Sequence, residues 1–167
     1  MARQHIANYT EHTDVSTKTM AVQIGKDKTI CIQSAVLDEI YLSIKQYRYE
    51  TGGIIGIDER GVVSAFQFDK SSDSNPFEYS PNVDFLNHVI NERWAKQNIR
   101  FVGFVHSHLH NCELSMQDID YCRYIIGINA MISSMLIGII DLSKECNKKW
   151  YVVSKNGVIE VCDKNIN

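Results

Sequence analysis

Val102-Gly-Phe-Val-His106-Ser-His108, followed by Leu-His-Asn-Cys-Glu-Leu-Ser115-Met-Gln-Asp118, is the stretch around which the rest of the chain arranges itself. Its first half is an apolar run of strand character that carries two histidines to its end. Side chains on a strand repeat every two residues, so His106 and His108 project from one face and can reach the same ion, while Ser107 faces the other side and reads as structural. The second half is a polar loop turning into a segment that begins Ser-x-x-Asp. Asp118 supplies a third ligand. Three protein ligands leave a tetrahedral zinc with one position for water, the feature that separates catalytic zinc from the closed four-ligand structural kind.

Taken singly, each piece has an ordinary explanation. Histidines at the mouth of a buried strand are often satisfied polar residues, and Ser115-x-x-Asp118 is close to the Ser-x-x-Glu capping box that opens many helices. A third element changes the weighting: Glu50, in Glu50-Thr-Gly-Gly-Ile-Ile-Gly56, lies upstream of both in the same chain. A glutamate, then His-Ser-His, then Ser-x-x-Asp, in that order, resembles the JAMM (MPN-plus, or JAB) zinc metalloprotease family. The resemblance extends from about residue 29 to residue 161 and favours the compact prokaryotic JAB members, because there is no room after Asp118 for a long second insertion. Two departures stand out: the spacer between His108 and Ser115 is one residue short of the family's usual length, and Leu109 stands where many members have proline. His110 and Cys112 fall in that shortened loop and read as bystanders.

The resemblance implies an α+β fold with a mixed, largely antiparallel curved sheet flanked by helices, of the MPN/JAB, cytidine-deaminase-like sandwich type. It also implies one Zn2+ held by His106, His108 and Asp118, with Glu50 as general base and Ser115 as donor to the oxyanion. The implied activity is that of a deubiquitinase-like isopeptidase or peptidase, cutting the amide after the C-terminal glycine of a ubiquitin-like modifier, either in deconjugation or in precursor processing. Implied partners are a ubiquitin-like protein or its conjugates and activating and conjugating (E1/E2-like) proteins of one pathway, such as a bacterial conjugation or phage-defence system. Two other readings stay open. One is a non-catalytic MPN-type scaffold or binding module, and the other a zinc peptidase acting on small peptides.

At 167 residues the chain is long enough for one domain with a sizeable core. A net charge of -3, with scattered lysines and arginines, offers no electrostatic surface for nucleic acid, which is excluded as a partner. Five widely spaced cysteines without a C-x-x-C pair fit neither a disulfide framework nor a zinc ribbon, and point to a reducing compartment. The N-terminus lacks the apolar core of a secretion signal, and the charge-free stretch from Tyr124 to Ile140 falls short of the ~20 apolar residues that span a bilayer. A cytoplasmic protein without membrane association is expected.

Residues 1–20 are polar and without periodicity, an N-terminal extension to a single domain over 21–167. Thr29–Gln33 reads as a strand, and Ser34 as the cap of a helix with apolar positions Val36, Leu37, Ile40, Tyr41 and Ile44. Thr51–Ile57 and Val62–Phe68 flank a turn and predict a hairpin. Lys70–Pro81 is the one marked composition shift, a loop in which Phe77 and Tyr79 either pack on the sheet or grip substrate. A second helix starts at Asn82 or Asp84, with Phe85, Val89, Ile90 and Trp94 on its buried face. Arg100–Val105 is the central strand and Ser115 to about Ile128 the third helix. Strands at Ser133–Ile140, Lys149–Ser154 and Gly157–Val161 complete the sheet.

Overall fold

The computed structural model describes residues 22–70, 78–144 and 147–167. The predicted polar extension and Phe77 lie outside the described residues. Among the described residues, seven strands and three α-helices follow the order β1 (Thr29–Gln33), α1 (Ser34–Ile44), β2 (Gly52–Ile57), β3 (Val63–Phe68), α2 (Val83–His88), β4 (Arg100–His108), α3 (Met116–Ile128), β5 (Ser134–Asp141), β6 (Lys148–Ser154) and β7 (Gly157–Ile166). The fold is α+β with a mixed sheet, as expected. The sheet, however, closes on itself in the order β1-β3-β2-β4-β5-β6-β7 and forms a barrel.

Closure comes from β7, which runs five residues past the predicted end at Val161. Its second half pairs in parallel with β1, from Thr29 opposite Cys162 to Gln33 opposite Ile166. The same contact explains why Ser34 does not cap α1. Gln33 occupies the cap position without a side-chain bond, and Ser34 Oγ instead donates to Ile166 O at 3.3 Å, tying the helix start to the end of β7.

The central strands are apolar without a break because both faces are covered. Ile54, Phe104 and Ile137 pack under α2 and α3, whereas their neighbours Ile55, Val105 and Leu136 pack with α1. The hairpin β2–β3 is antiparallel, as is β2–β4; β4 and β5 run parallel, with α3 as the crossover between them. In the second helix Asn82 is the cap, its side chain accepting from Phe85 N at 3.1 Å. The segment then widens into a π-helical turn over Val89–Trp94. Leu86, Val89, Ile90 and Trp94 are fully buried, and Phe85 sits at the margin.

Candidate metal centre

The strand that carries the histidines runs through His108, so both lie within regular β4 and on the face covered by α3. Across the β2–β4 ladder, Gly52 stands opposite His106. A side chain at Gly52 would place its Cβ 2.5 Å from Val105 O, 2.7 Å from His106 Cβ and 2.9 Å from Tyr79 Cε1, so only glycine lets β2 pass beneath the first histidine. Asp118 arrives from α3, whose cap is Ser115. The capping box leaves Asp118 within the candidate donor group. Ser115 Oγ accepts from Asp118 N at 3.1 Å, and Asp118 Oδ2 accepts from Ser115 N at 2.9 Å and from Ser115 Oγ at 2.6 Å. Reciprocal bonding of this kind fixes the carboxylate before any ion is bound.

His106 Nε2 and His108 Nε2 are 3.0 Å apart, and Asp118 Oδ1 lies 3.2 Å from the first while Oδ2 lies 3.6 Å from the second. Donor atoms from all three residues fall within 4.8 Å of one another. Electrostatics reinforce the grouping. Burial opposes the charge on Asp118, yet hydrogen bonding to His106, His108 and Ser115 together with the charge of His106 holds its carboxyl far below the usual carboxylate range. For His108 burial again disfavours the charge, but the hydrogen bond and charge of Asp118, with Glu50 adding to them, raise it above the ordinary histidine value.

Glu50 lines the same cavity as the three donors, a space of about 1150 Å³ walled also by Phe104 and Tyr121. Burial raises its pKa and the charges of His108 and His106 pull it back only in part, so its proton affinity exceeds that of a free glutamate. That is the shift a general base gains in usefulness from. Tyr79 stacks on His106, ring centroids 6.0 Å apart and planes at 23°, and its hydroxyl donates to Asp69 Oδ2 at 3.2 Å. Asp69 is 1% exposed and also accepts from Asn82 N at 2.7 Å. Tyr79 is thus anchored as a wall of the cavity and a support for the His106 ring. Sequence reading missed Asp69; the only available signal was a carboxylate ending an apolar strand just before the composition shift.

His110 is exposed and Cys112 is buried, and neither belongs to the donor group. The Cys112 carbonyl accepts from Tyr151 Oη at 2.9 Å, and burial pushes its thiol up, away from the thiolate a metal needs. Asp141, also missed, is completely buried at the end of β5 opposite His108, where it accepts from Ser143 N at 2.8 Å, Ser143 Oγ at 2.6 Å and Asn147 Nδ2 at 3.1 Å. Next to it, Leu142 N donates to His108 O at 2.9 Å.

Two imidazoles and a carboxylate suit zinc in donor chemistry, and nitrogens 3.0 Å apart are close to the spacing of two ligands each ~2 Å from one ion. The residues therefore fit the group. Fold and site together define an α+β barrel protein with a two-histidine, one-aspartate group positioned to bind metal at the wall of an open cavity. No family model matches the chain, and no curated protein matches it. Among solved structures, protein DSY2949 from Desulfitobacterium hafniense shares the fold, with a TM-score of 0.67 at 19% identity over 83% of this chain and 93% of that one. Structural neighbours also include JAMM and JAB1/MPN domain proteins. One is described as a metalloprotease-like zinc site in the proteasome and signalosome (TM-score 0.48, 16% identity, 83% of this chain and 99% of that one). The other is a JAB1/MPN domain protein from Archaeoglobus fulgidus (TM-score 0.49, 16% identity, 83% and 97%). Among the described residues, no helix is long and apolar enough to cross a membrane.

Proposed function

We propose that this chain is a JAMM-type zinc hydrolase that cleaves the amide after the C-terminal glycine of a ubiquitin-like protein. The observation that supports it is the convergence of His106, His108 and Asp118 on the cavity that Glu50 also lines. Bound there, zinc would polarise the scissile carbonyl and acidify water enough for attack at neutral pH.

The chain's own residues account for the proton. Glu50 takes it from the attacking water as the carbon–oxygen bond forms, and returns it to the amine nitrogen as the carbon–nitrogen bond breaks. Ser115 stands beside Asp118 on the cavity wall. Turning its hydroxyl hydrogen from Asp118 Oδ2 toward the developing oxyanion leaves the Ser115 N–H bond to Asp118 in place, so the donor is gained without releasing the ligand. An extended glycine tail would lie in the cavity walled by Tyr79, His106 and His108, where a side chain would crowd the metal group.

The test offers the zinc-loaded protein two linear fusions of a ubiquitin-like protein to a reporter, one ending in Gly-Gly before the junction and one with the last glycine changed to valine. One zinc per chain, cleavage of the first fusion, sparing of the second and loss of activity in chelator are expected. Absence of bound metal would overturn the assignment. Cleavage of short generic peptides with neither fusion cut would move it to the small-peptide class, and zinc binding without any hydrolysis would move it to the scaffold class.

A further inference from the structure

Ser107, between the two histidines, points away from the donor group and is completely buried. Its hydroxyl is not idle. Ser107 Oγ accepts from Thr51 N at 3.0 Å and donates to Thr51 O at 3.3 Å, while Ser107 N donates to the same carbonyl at 2.8 Å. These bonds lie just beyond the last paired position of the β2–β4 ladder, Gly52 opposite His106. They extend the strand contact by one residue, with one bond through the backbone and two through the Ser107 side chain.

The Thr51 N–H belongs to the peptide unit that joins Glu50 to Thr51. Peptide units are planar and stiff, so holding that N–H fixes the plane on which the Glu50 Cα rides. Thr51 Oγ1 is buried and makes no hydrogen bond, which leaves the backbone as the part of Thr51 that Ser107 grips. Glu50 itself follows a stretch, residues 45–49, without regular secondary structure. We infer that Ser107 is a positioning residue: its hydroxyl holds the Thr51 N–H, which the backbone bond to Thr51 O leaves free, and so sets the Glu50 carboxylate relative to His106 and His108. The inference rests on the hydrolase reading for its catalytic consequence, though not for the clamp itself.

The experiment compares zinc-loaded parent, Ser107→Ala and Ser107→Thr for zinc content, amide hydrogen exchange at Thr51, and kcat and KM on the Gly-Gly fusion. Ser107→Ala is expected to hold one zinc and keep KM, to exchange the Thr51 amide at least about tenfold faster, and to lose roughly 10- to 100-fold in kcat, the scale of a misplacement near 1 Å. Ser107→Thr keeps the hydroxyl and is expected to restore both exchange protection and kcat to within about threefold. If alanine does not fold, Ser107→Cys, similar in shape but a weak acceptor, must show the same split. Loss of zinc in Ser107→Ala would place the hydroxyl's effect on the histidines and overturn the inference, as would a parent-like kcat with Thr51 deprotected. Should the parent hydrolyse nothing, the hydrolase reading fails while the exchange measurement still decides the clamp: unchanged Thr51 protection in Ser107→Ala refutes it.

Discussion

Replacing Gly52 with alanine probes the packing that brings β2 under His106. The added Cβ would lie 2.5 Å from Val105 O and 2.7 Å from His106 Cβ, roughly 1 Å inside ordinary contact, and both obstacles belong to strand β4 rather than to flexible side-chain ends. Relief requires β2 and β4 to part at their last paired position. Overpacking of this kind costs about 1–3 kcal/mol, or a fall in Tm of roughly 2–12 °C for a chain of this size. Because the displaced atom is the Cβ of a ligand, zinc affinity should fall about tenfold or more as well. Gly53→Ala is the control. Its Cβ would meet Gln67 O and Phe66 on the β3 side, so it should cost at least as much stability while leaving His106 alone. Thermal unfolding in chelator gives the stability term, and competition with a zinc-binding dye gives affinity. The reasoning is refuted if Gly52→Ala melts and binds zinc like the parent, or if both variants weaken zinc equally at equal loss of stability.

Three further outcomes follow from the same geometry. Glu50→Gln should keep the fold and the zinc and lower kcat by about 10²- to 10⁴-fold, since the amide cannot take the water's proton; turnover at the parent rate on the Gly-Gly fusion would remove Glu50 as the base. Metal-free protein should be most stable between the ordinary carboxylate value of about 4 and the ordinary histidine value of about 6.5. Asp118, with its pKa depressed, contributes stability above the first value that is lost as pH falls toward its folded value, and His108, with its pKa raised, contributes stability below the second that is lost as pH rises through its folded value. A flat profile of Tm against pH in chelator would contradict this. Thr51→Val removes a buried hydroxyl that has no partner and should stabilise the protein by about 1 kcal/mol, seen as a Tm higher by roughly 2–4 °C.

The parts of this protein legible from sequence are those governed by local rules. A two-residue period at the end of an apolar run put His106 and His108 on one face, Ser-x-x-Asp announced a helix start, and a turn between apolar runs announced the β2–β3 hairpin. Those signals need only neighbouring residues, so they survive without knowledge of the fold. Tertiary structure decided what distant segments impose on each other. Pairing of β7 with β1 closed the barrel and drew Ser34 away from capping α1, and no periodicity records a partner more than 130 residues away. In the second helix Leu86, not Phe85, joins Val89, Ile90 and Trp94 in the core, and the segment widens into a π-helical turn that a 3.6-residue period does not announce. Most consequential for the site, the Ser115–Asp118 capping box holds a carboxylate of the candidate donor group, Asp69 anchors the aromatic ring stacked on His106, and Ser107 holds the backbone next to Glu50. Each depends on a hydrogen bond whose direction is fixed only when the strands and α3 are assembled, because a polar side chain in sequence does not reveal which buried donor or acceptor it must satisfy.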